Sequence, residues 1–295
     1  MIAALIECAG RLPLELRISL GRCLGFIFSL IPTRDRKICE LQLERFAKAM
    51  GGRALTSSVY QSVGQTLMES INLAPILKRL DTRVACPDWE QLAPKVSSRK
   101  SGILALSAHT GNWELLAAYF AAKGHKLTVI GRQARNLRFQ EILAKLRARN
   151  GLKTVWRNDA SGTKEIIRAL KSKGIVAALS DQDTYVASKF VPFFGAPART
   201  PSAMVDLAKK LECMIVAAFI FRTTRNSYEI RLHDIPAELP PEEILRTYNS
   251  LLEEYIRKFP DQWVWFHKRW RSLSEEQRLS SREYVRYLQG LQSGT

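Results

Sequence analysis

Over residues 1 to about 90, apolar positions recur at helical spacing with Arg, Lys and Glu on the other faces, and the pattern breaks at Pro13, Pro32 and the Gly51-Gly52 pair. A period near 3.6 with no strand-like alternation predicts a series of amphipathic helices. From about residue 100 the texture changes to short apolar runs alternating with helical stretches. GILALSA (102–108) precedes a helix near 113–123, and KLTVIG (126–131) precedes one near 137–149, closed by Asn150-Gly151. LKTVW (152–156) precedes a helix near 162–173, stopped by Gly174, and IVAALS (175–180) leads through a loop to a helix near 201–211. Strands that alternate with helices of this length build βαβ units and a parallel sheet. CMIVAAFIF (213–221), the turn TTRNS and YEIRLHD (228–234) read as a hairpin, which makes the sheet mixed. A helix from Pro240-Pro241 to about Lys258, the aromatic, basic stretch DQWVWFHKRWR and a polar helical tail from Ser274 complete the chain. The expected fold is α/β: a mixed, largely parallel sheet flanked by helices, with a helical N-terminal layer. The expected organisation is a helical segment over residues 1–90, an α/β domain over 91–273 and a helical tail over 274–295.

Composition adds a constraint on partners. The 295-residue chain carries 45 Lys and Arg against 28 Asp and Glu, a formal net charge of +17. A surplus of that size favours polyanions: nucleic acid, an anionic membrane face or an acidic carrier protein. The five cysteines contain no C-x-x-C and are widely spaced, so neither a disulfide framework nor a zinc site is indicated, and no metal is expected. The longest uncharged stretch near the N-terminus, residues 23–33, is far short of the roughly 20 apolar residues that span a bilayer. What remains there is a pair of helices with apolar faces and scattered arginines, suited to a membrane interface or to packing on the protein's own core.

Chemistry enters at SAHTGNWELL (107–116), where an apolar run crosses into a helix. In open α/β sheets, sites gather beyond the carboxyl ends of the strands, where helix N-termini present free N–H groups. Gly111 suits a left-handed turn and Asn112 is a good N-cap, so Glu114 falls in the first helical turn. Its carboxylate is then in a position to fold back onto His109, hold one tautomer and stabilise the imidazolium that forms when His109 takes a proton. The bland reading is a turn histidine and a glutamate that complements the helix dipole; local chemistry leaves both open.

SDQDTYVASKFVPFFGAPARTPSA (180–203) follows the fourth strand and brings Asp181, Gln182 and Asp183 to the same sheet edge as His109. An ordinary turn with capping acids is the competing reading. Phe193 and Phe194, between prolines, form either an apolar wall for a ligand or a buried plug. Arg132, Arg135 and Arg149 are cationic candidates near strand edges, some solvated and some suited to phosphate. No G-x-S-x-G, G-x-x-x-x-G-K-[ST], G-x-G-x-x-G or H-E-x-x-H is present. A base without a built-in nucleophile points to attack by a substrate hydroxyl.

HTGNWE (109–114), DQD followed by FVPFFGAPARTPSA (190–203), and WVWFHKRW (263–270) together resemble the bacterial lysophospholipid acyltransferase family, which includes the late acyltransferases of lipid A biosynthesis and the phosphatidylinositol mannoside acyltransferases. The resemblance runs from about residue 10 to 272. It implies a glycerolipid acyltransferase-like fold and transfer of a fatty acyl chain from an acyl carrier protein or coenzyme A thioester to a glycolipid hydroxyl. It also implies a place at the cytoplasmic face of the bacterial inner membrane, against an anionic lipid surface. By motif His109 is the general base and Glu114 its orienting partner, Arg149 and Asp181 belong to the supporting or substrate-binding network, and no cofactor beyond the thioester is implied. Two other readings stand beside it: a thioesterase or an acyltransferase for a different lipid, and a basic nucleic-acid binder that uses the aromatics of WVWFHKRWR. No basic cluster lies on a recognisable nucleic-acid fold, so no nucleic acid is expected as partner.

Overall fold

The structure of the chain, a computed structural model, describes residues 2–52, 54–133, 136–157 and 161–293. Arg135 lies outside the described residues. The N-terminal layer comprises α1 (Ile2–Arg11), α2 (Leu14–Leu30), α3 (Arg34–Met50), α4 (Thr56–Ser70) and the short α5 (Ala74–Leu77) and α6 (Leu80–Arg83). The breaks fall at Pro13, Pro32 and Gly51, as the pattern predicts. Thr33 caps α3 by accepting from the Arg36 N–H, and Gly51 closes it at φ 74°. α2 and α4 approach unusually closely, because Gly21 and Gly25 of α2 face Gly64 and the Tyr60 backbone of α4; a Cβ at any of the three glycines would collide with a backbone carbonyl. Small residues four apart permit this kind of contact between helices.

The remaining elements follow in order: β1 (Val84–Ala85), α7 (Trp89–Ser98), β2 (Ile103–Ser107), α8 (Trp113–Ala122), β3 (Leu127–Gly131), α9 (Leu137–Arg149), β4 (Leu152–Trp156), α10 (Gly162–Lys171), β5 (Ile175–Leu179), β6 (Ser188–Phe193), β7 (Ala196–Pro201), α11 (Ala203–Lys210), β8 (Met214–Arg222), β9 (Tyr228–Ile235), α12 (Pro241–Lys258) and α13 (Ser281–Ser293). Seven strands form one sheet in the order β1-β9-β8-β2-β5-β3-β4. All neighbours run parallel except β8 and β9, which form the expected antiparallel hairpin. Each sheet face carries its own apolar core. One packs on α3, α11, α12 and the tryptophans of the 263–270 segment, and the other on α2, α5, α7 and α8.

Three details depart from the sequence pattern. β1 is a two-residue strand inside the segment expected to be wholly helical, and it pairs with β9. The polar tail is helical only from Ser281, and it is docked: Tyr284 and Leu288 are buried against α3. The segment expected to be a loop after the fourth strand contains the β6–β7 hairpin. Its two-residue turn, Phe194-Gly195, has φ of 50° and 73°, the positive pair that suits a tight hairpin. Prolines at 192, 197 and 201 disguise the strands, and they are tolerated because this ribbon has only two strands and both are edges.

Candidate active site

Strand register builds the centre of the site. β2 and β5 are neighbours with Ser107 opposite Leu179, so two residues further His109 comes opposite Asp181. The His109 Nδ1 lies 2.8 Å from Asp181 Oδ1, and the His109 backbone N–H donates to Asp181 Oδ2 at 2.9 Å. The Trp263 indole N–H also donates to Oδ2, at 2.9 Å. Asp181 is fully buried, whereas His109 keeps 18% of its side chain exposed. Burial works against the Asp181 charge, but His109, as charge and as hydrogen-bond donor, His267 and the His109 N–H together outweigh it and hold the carboxyl well below the usual carboxylate range. An ionised Asp181 accepting from Nδ1–H leaves the His109 Nε2 as the basic nitrogen.

The turn that carries His109 is clamped from both sides. Gly111 sits at φ 49° against the Ile220 carbonyl, where a Cβ would clash, and its N–H donates to the Gln262 carbonyl at 2.9 Å. Asn112 caps α8 by accepting from the Leu115 N–H at 2.9 Å. Beneath it lies a buried polar network from α4 and β8. Glu69 accepts from Arg222 Nη2 at 2.7 Å and from Asn112 Nδ2 at 2.8 Å, and the Thr66 hydroxyl donates to the Gly111 carbonyl at 2.5 Å.

Glu114 is held elsewhere than its spacing to His109 predicts. Both its oxygens are taken by the guanidinium of Arg147, at 2.6 and 2.9 Å, with both side chains mostly buried. The carboxylate on the histidine is Asp181 instead, because the parallel register delivers it in line with Nδ1 while α8 turns Glu114 toward α9. Arg149 is 64% exposed, with its nearest acid, Glu7, 4.0 Å away. Two residues along a helix rotate a side chain by about 200°, so Arg147 faces the site and Arg149 faces out. Arg132 is likewise on the surface.

DQD divides its work. The Gln182 amide nitrogen lies 3.3 Å from the ring nitrogens of His109 and 2.9 and 3.0 Å from those of His267, and the two imidazoles meet edge to face at 4.7 Å between centroids. Asp183 is structural: it accepts from the Ser272 N–H and lies 3.2 Å from Arg278. Phe193 and Phe194 are buried in an aromatic cluster with Phe46, Trp263, Trp265 and Trp270. They form the plug of the two readings, away from the apolar slot described below. The same burial of Trp263, Trp265 and Trp270 leaves those rings no face on which bases could stack.

His267, Trp263 and Arg147 are the site residues that residue-by-residue reading passes over. The first two sit in WVWFHKRW, the motif whose tryptophans read as plain core. Burial, reinforced by the nearby charge of His109, pushes the His267 imidazole down to about 3. It is neutral in the fold at pH 7, whereas an unfolded imidazole titrates near 6.5. Between those values the unfolded chain holds the extra proton, so His267's contribution to stability is complete above about pH 6.5 and falls as pH drops toward 3. Thermal melts from pH 7 to 4 are expected to show this decline, and His267→Gln to flatten it; an equal slope in the variant would assign the acid sensitivity to other groups. The donor atoms of His109, Asp181 and His267 lie within 4.8 Å of one another, a spacing that a metal ion can bridge.

Trp113 packs edge to face on His109 at 5.1 Å and opens onto a narrow apolar slot between the sheet and helices α7 and α8. Trp89, Leu92 and Phe120 wall it, Ala105, Ala117, Ala177 and Ala218 leave its width, and Glu114 and Arg147 stand at its polar end. One sheet face lines it at every second residue of β2 and β5, the period of a strand.

The family described as bacterial lipid A biosynthesis acyltransferase matches residues 3–272. The chain is also 25% identical over 279 residues to the lipid A biosynthesis lauroyltransferase of Escherichia coli (strain K12), covering 90% of this chain and 88% of that protein. With a family match over nearly its whole length, the chain belongs to the bacterial lipid A biosynthesis acyltransferases and is an acyltransferase.

Proposed function

We propose that this protein transfers a fatty acyl chain from an acyl carrier protein or coenzyme A thioester to a hydroxyl of a lipid A precursor-like glycolipid. The observation that carries the reading is the His109–Asp181 pair joined to an apolar slot through Trp113, which packs on His109 and lines the slot. The acyl chain lies in the slot and its thioester carbonyl stops beside His109. The acceptor O–H gives its proton to His109 Nε2 as its oxygen attacks the carbonyl carbon. Asp181 holds the ring and stabilises the imidazolium. The tetrahedral oxyanion meets the first N–H groups of α8, residues 112–114, at the positive end of the helix dipole. Collapse expels the thiolate, which takes the proton back from His109, leaving an ester. This route requires neither a metal nor an acyl-enzyme.

The N-terminal layer supports work at a membrane surface. α2 exposes Leu16, Leu20, Leu24, Ile27, Phe28 and Leu30, and among the described residues no helix is long and apolar enough to cross a bilayer. An apolar helix face on a protein of net charge +17 suits an anionic interface, and the reading places the enzyme peripherally at the cytoplasmic face of the inner membrane. Incubating the purified protein with lauroyl carrier-protein thioester and an underacylated lipid A precursor is expected to yield an acceptor heavier by one acyl chain in mass spectrometry. Release of free fatty acid with no acylated lipid would overturn transfer in favour of thioester hydrolysis.

A further inference from the structure

Apart from the acyl slot, a second cavity of about 630 Å³ opens between α2, α4 and the turn joining β8 to β9. Every residue that lines it has a polar side chain, and three guanidiniums reach it from three separate elements: Arg22 of α2, Arg222 at the end of β8 and Arg225 in the turn. Arg222 is neutralised by its buried pair with Glu69. The other two are not: Arg22 donates only to the amide oxygens of Gln61 and Gln65, at 3.2 and 3.5 Å, and Arg225 donates to the Ser19 hydroxyl. Among the described residues, neither has a carboxylate within ion-pair distance. Ser19 lies one helical turn before Arg22, so the Arg225 contact brings both cations to the same rim, where the charge of Arg22 also acts on Asp261. Thr223 and Thr224 add hydroxyls.

We infer that this cavity binds a phosphomonoester. Two guanidinium forks with supporting hydroxyls match a tetrahedral dianion better than a planar carboxylate or a singly charged diester. The geometry also points to a lipid as the carrier. Phe26, one turn beyond Arg22, and the adjoining Leu20 and Leu24 are exposed, so a headgroup in the cavity keeps its chains against the apolar face of α2. Assigning a lipid rather than a soluble phosphate rests on the acyltransferase reading; the phosphate chemistry does not. One group opposes an anion. Asp261 lines the same cavity, and burial pushes its carboxyl up.

The test uses the full-length protein and co-sedimentation with phosphatidylcholine vesicles carrying phosphatidic acid or, at matched surface potential, phosphatidylglycerol. Wild type is expected to prefer the phosphomonoester vesicles by about tenfold, equivalent to about 1.4 kcal/mol. Arg22→Ala/Arg225→Ala should lose that preference while binding pure phosphatidylcholine vesicles as before, and Asp261→Asn should strengthen it. Both arginines are on the surface, and an unchanged melting temperature certifies the fold. A preference that survives the double variant, or an equal loss toward both anionic lipids, overturns the site. Glycerol phosphate in solution should compete only at far higher concentration than vesicle lipid; equal potency would overturn the lipid assignment. Wild-type acyl transfer onto an acceptor is measured separately, so loss of the phosphate site and failure of the acyltransferase reading give different results.

Discussion

His109→Ala is expected to lower acyl transfer by about 10³-fold, and Asp181→Asn by about 10²–10⁴-fold, each mainly in kcat. An asparagine at 181 keeps the volume but removes the charge that balances an imidazolium. Its amide can also donate to Nδ1, which moves the ring proton to Nε2 and removes the basic lone pair from the acceptor. Glu114→Gln separates the two carboxylates near the site. It leaves both His109–Asp181 bonds in place and weakens the grip on Arg147 at the polar end of the slot, so it is expected to raise KM for the thioester more than it lowers kcat. Steady-state kinetics of the three variants on one donor and acceptor decide the matter. A near-wild-type Asp181→Asn beside an inactive Glu114→Gln would return the orienting role to Glu114.

Glu69→Ala is expected to be the most destabilising single change outside the apolar cores. Glu69 is fully buried and receives Arg222 through Nε and Nη2, together with Gln65 and Asn112. Burial disfavours its charge, yet Arg222 and these donors hold its carboxyl below the usual range. Removing it leaves the buried Arg222 charge uncompensated, a loss of about 3–5 kcal/mol, or a fall of roughly 10 °C in melting temperature at about 2–4 °C per kcal/mol for a chain of this size. The double variant Glu69→Leu/Arg222→Met should lie closer to wild type than either single change, since it removes both charges together. Its activity should still suffer, because Asn112 loses the Glu69 carboxylate that steadies the His109 turn. A Glu69→Ala loss below about 1 kcal/mol would mean that water replaces the pair.

Much of the architecture was legible in the chain. Pro13, Pro32 and Gly51 mark the helix ends, and GILALSA through IVAALS mark four of the parallel strands, because prolines, cap glycines and buried apolar runs act locally and carry their own signal. The β6–β7 ribbon was not legible: its prolines argue against a strand wherever inter-strand hydrogen bonds are assumed, and only a free two-stranded edge excuses them. Phe193 and Phe194 read equally well as ligand wall or core, since the same apolar ring serves either use, and burial alone separates them.

By itself the sequence determined the fold class, the strand-to-helix turn at His109 and the presence of a DQD at the end of another strand, all consequences of local conformational preference and apolar period. The tertiary structure decided which carboxylate meets the imidazole. Within one turn, spacing makes Glu114 the natural partner, but the partner is chosen by which strands lie side by side. The order β2-β5 places Asp181 against His109, and α9 crosses near α8 to claim Glu114 with Arg147. Hydrogen bonds across 72 residues of chain depend on sheet order and register, which non-local packing sets and which no local run of residues encodes.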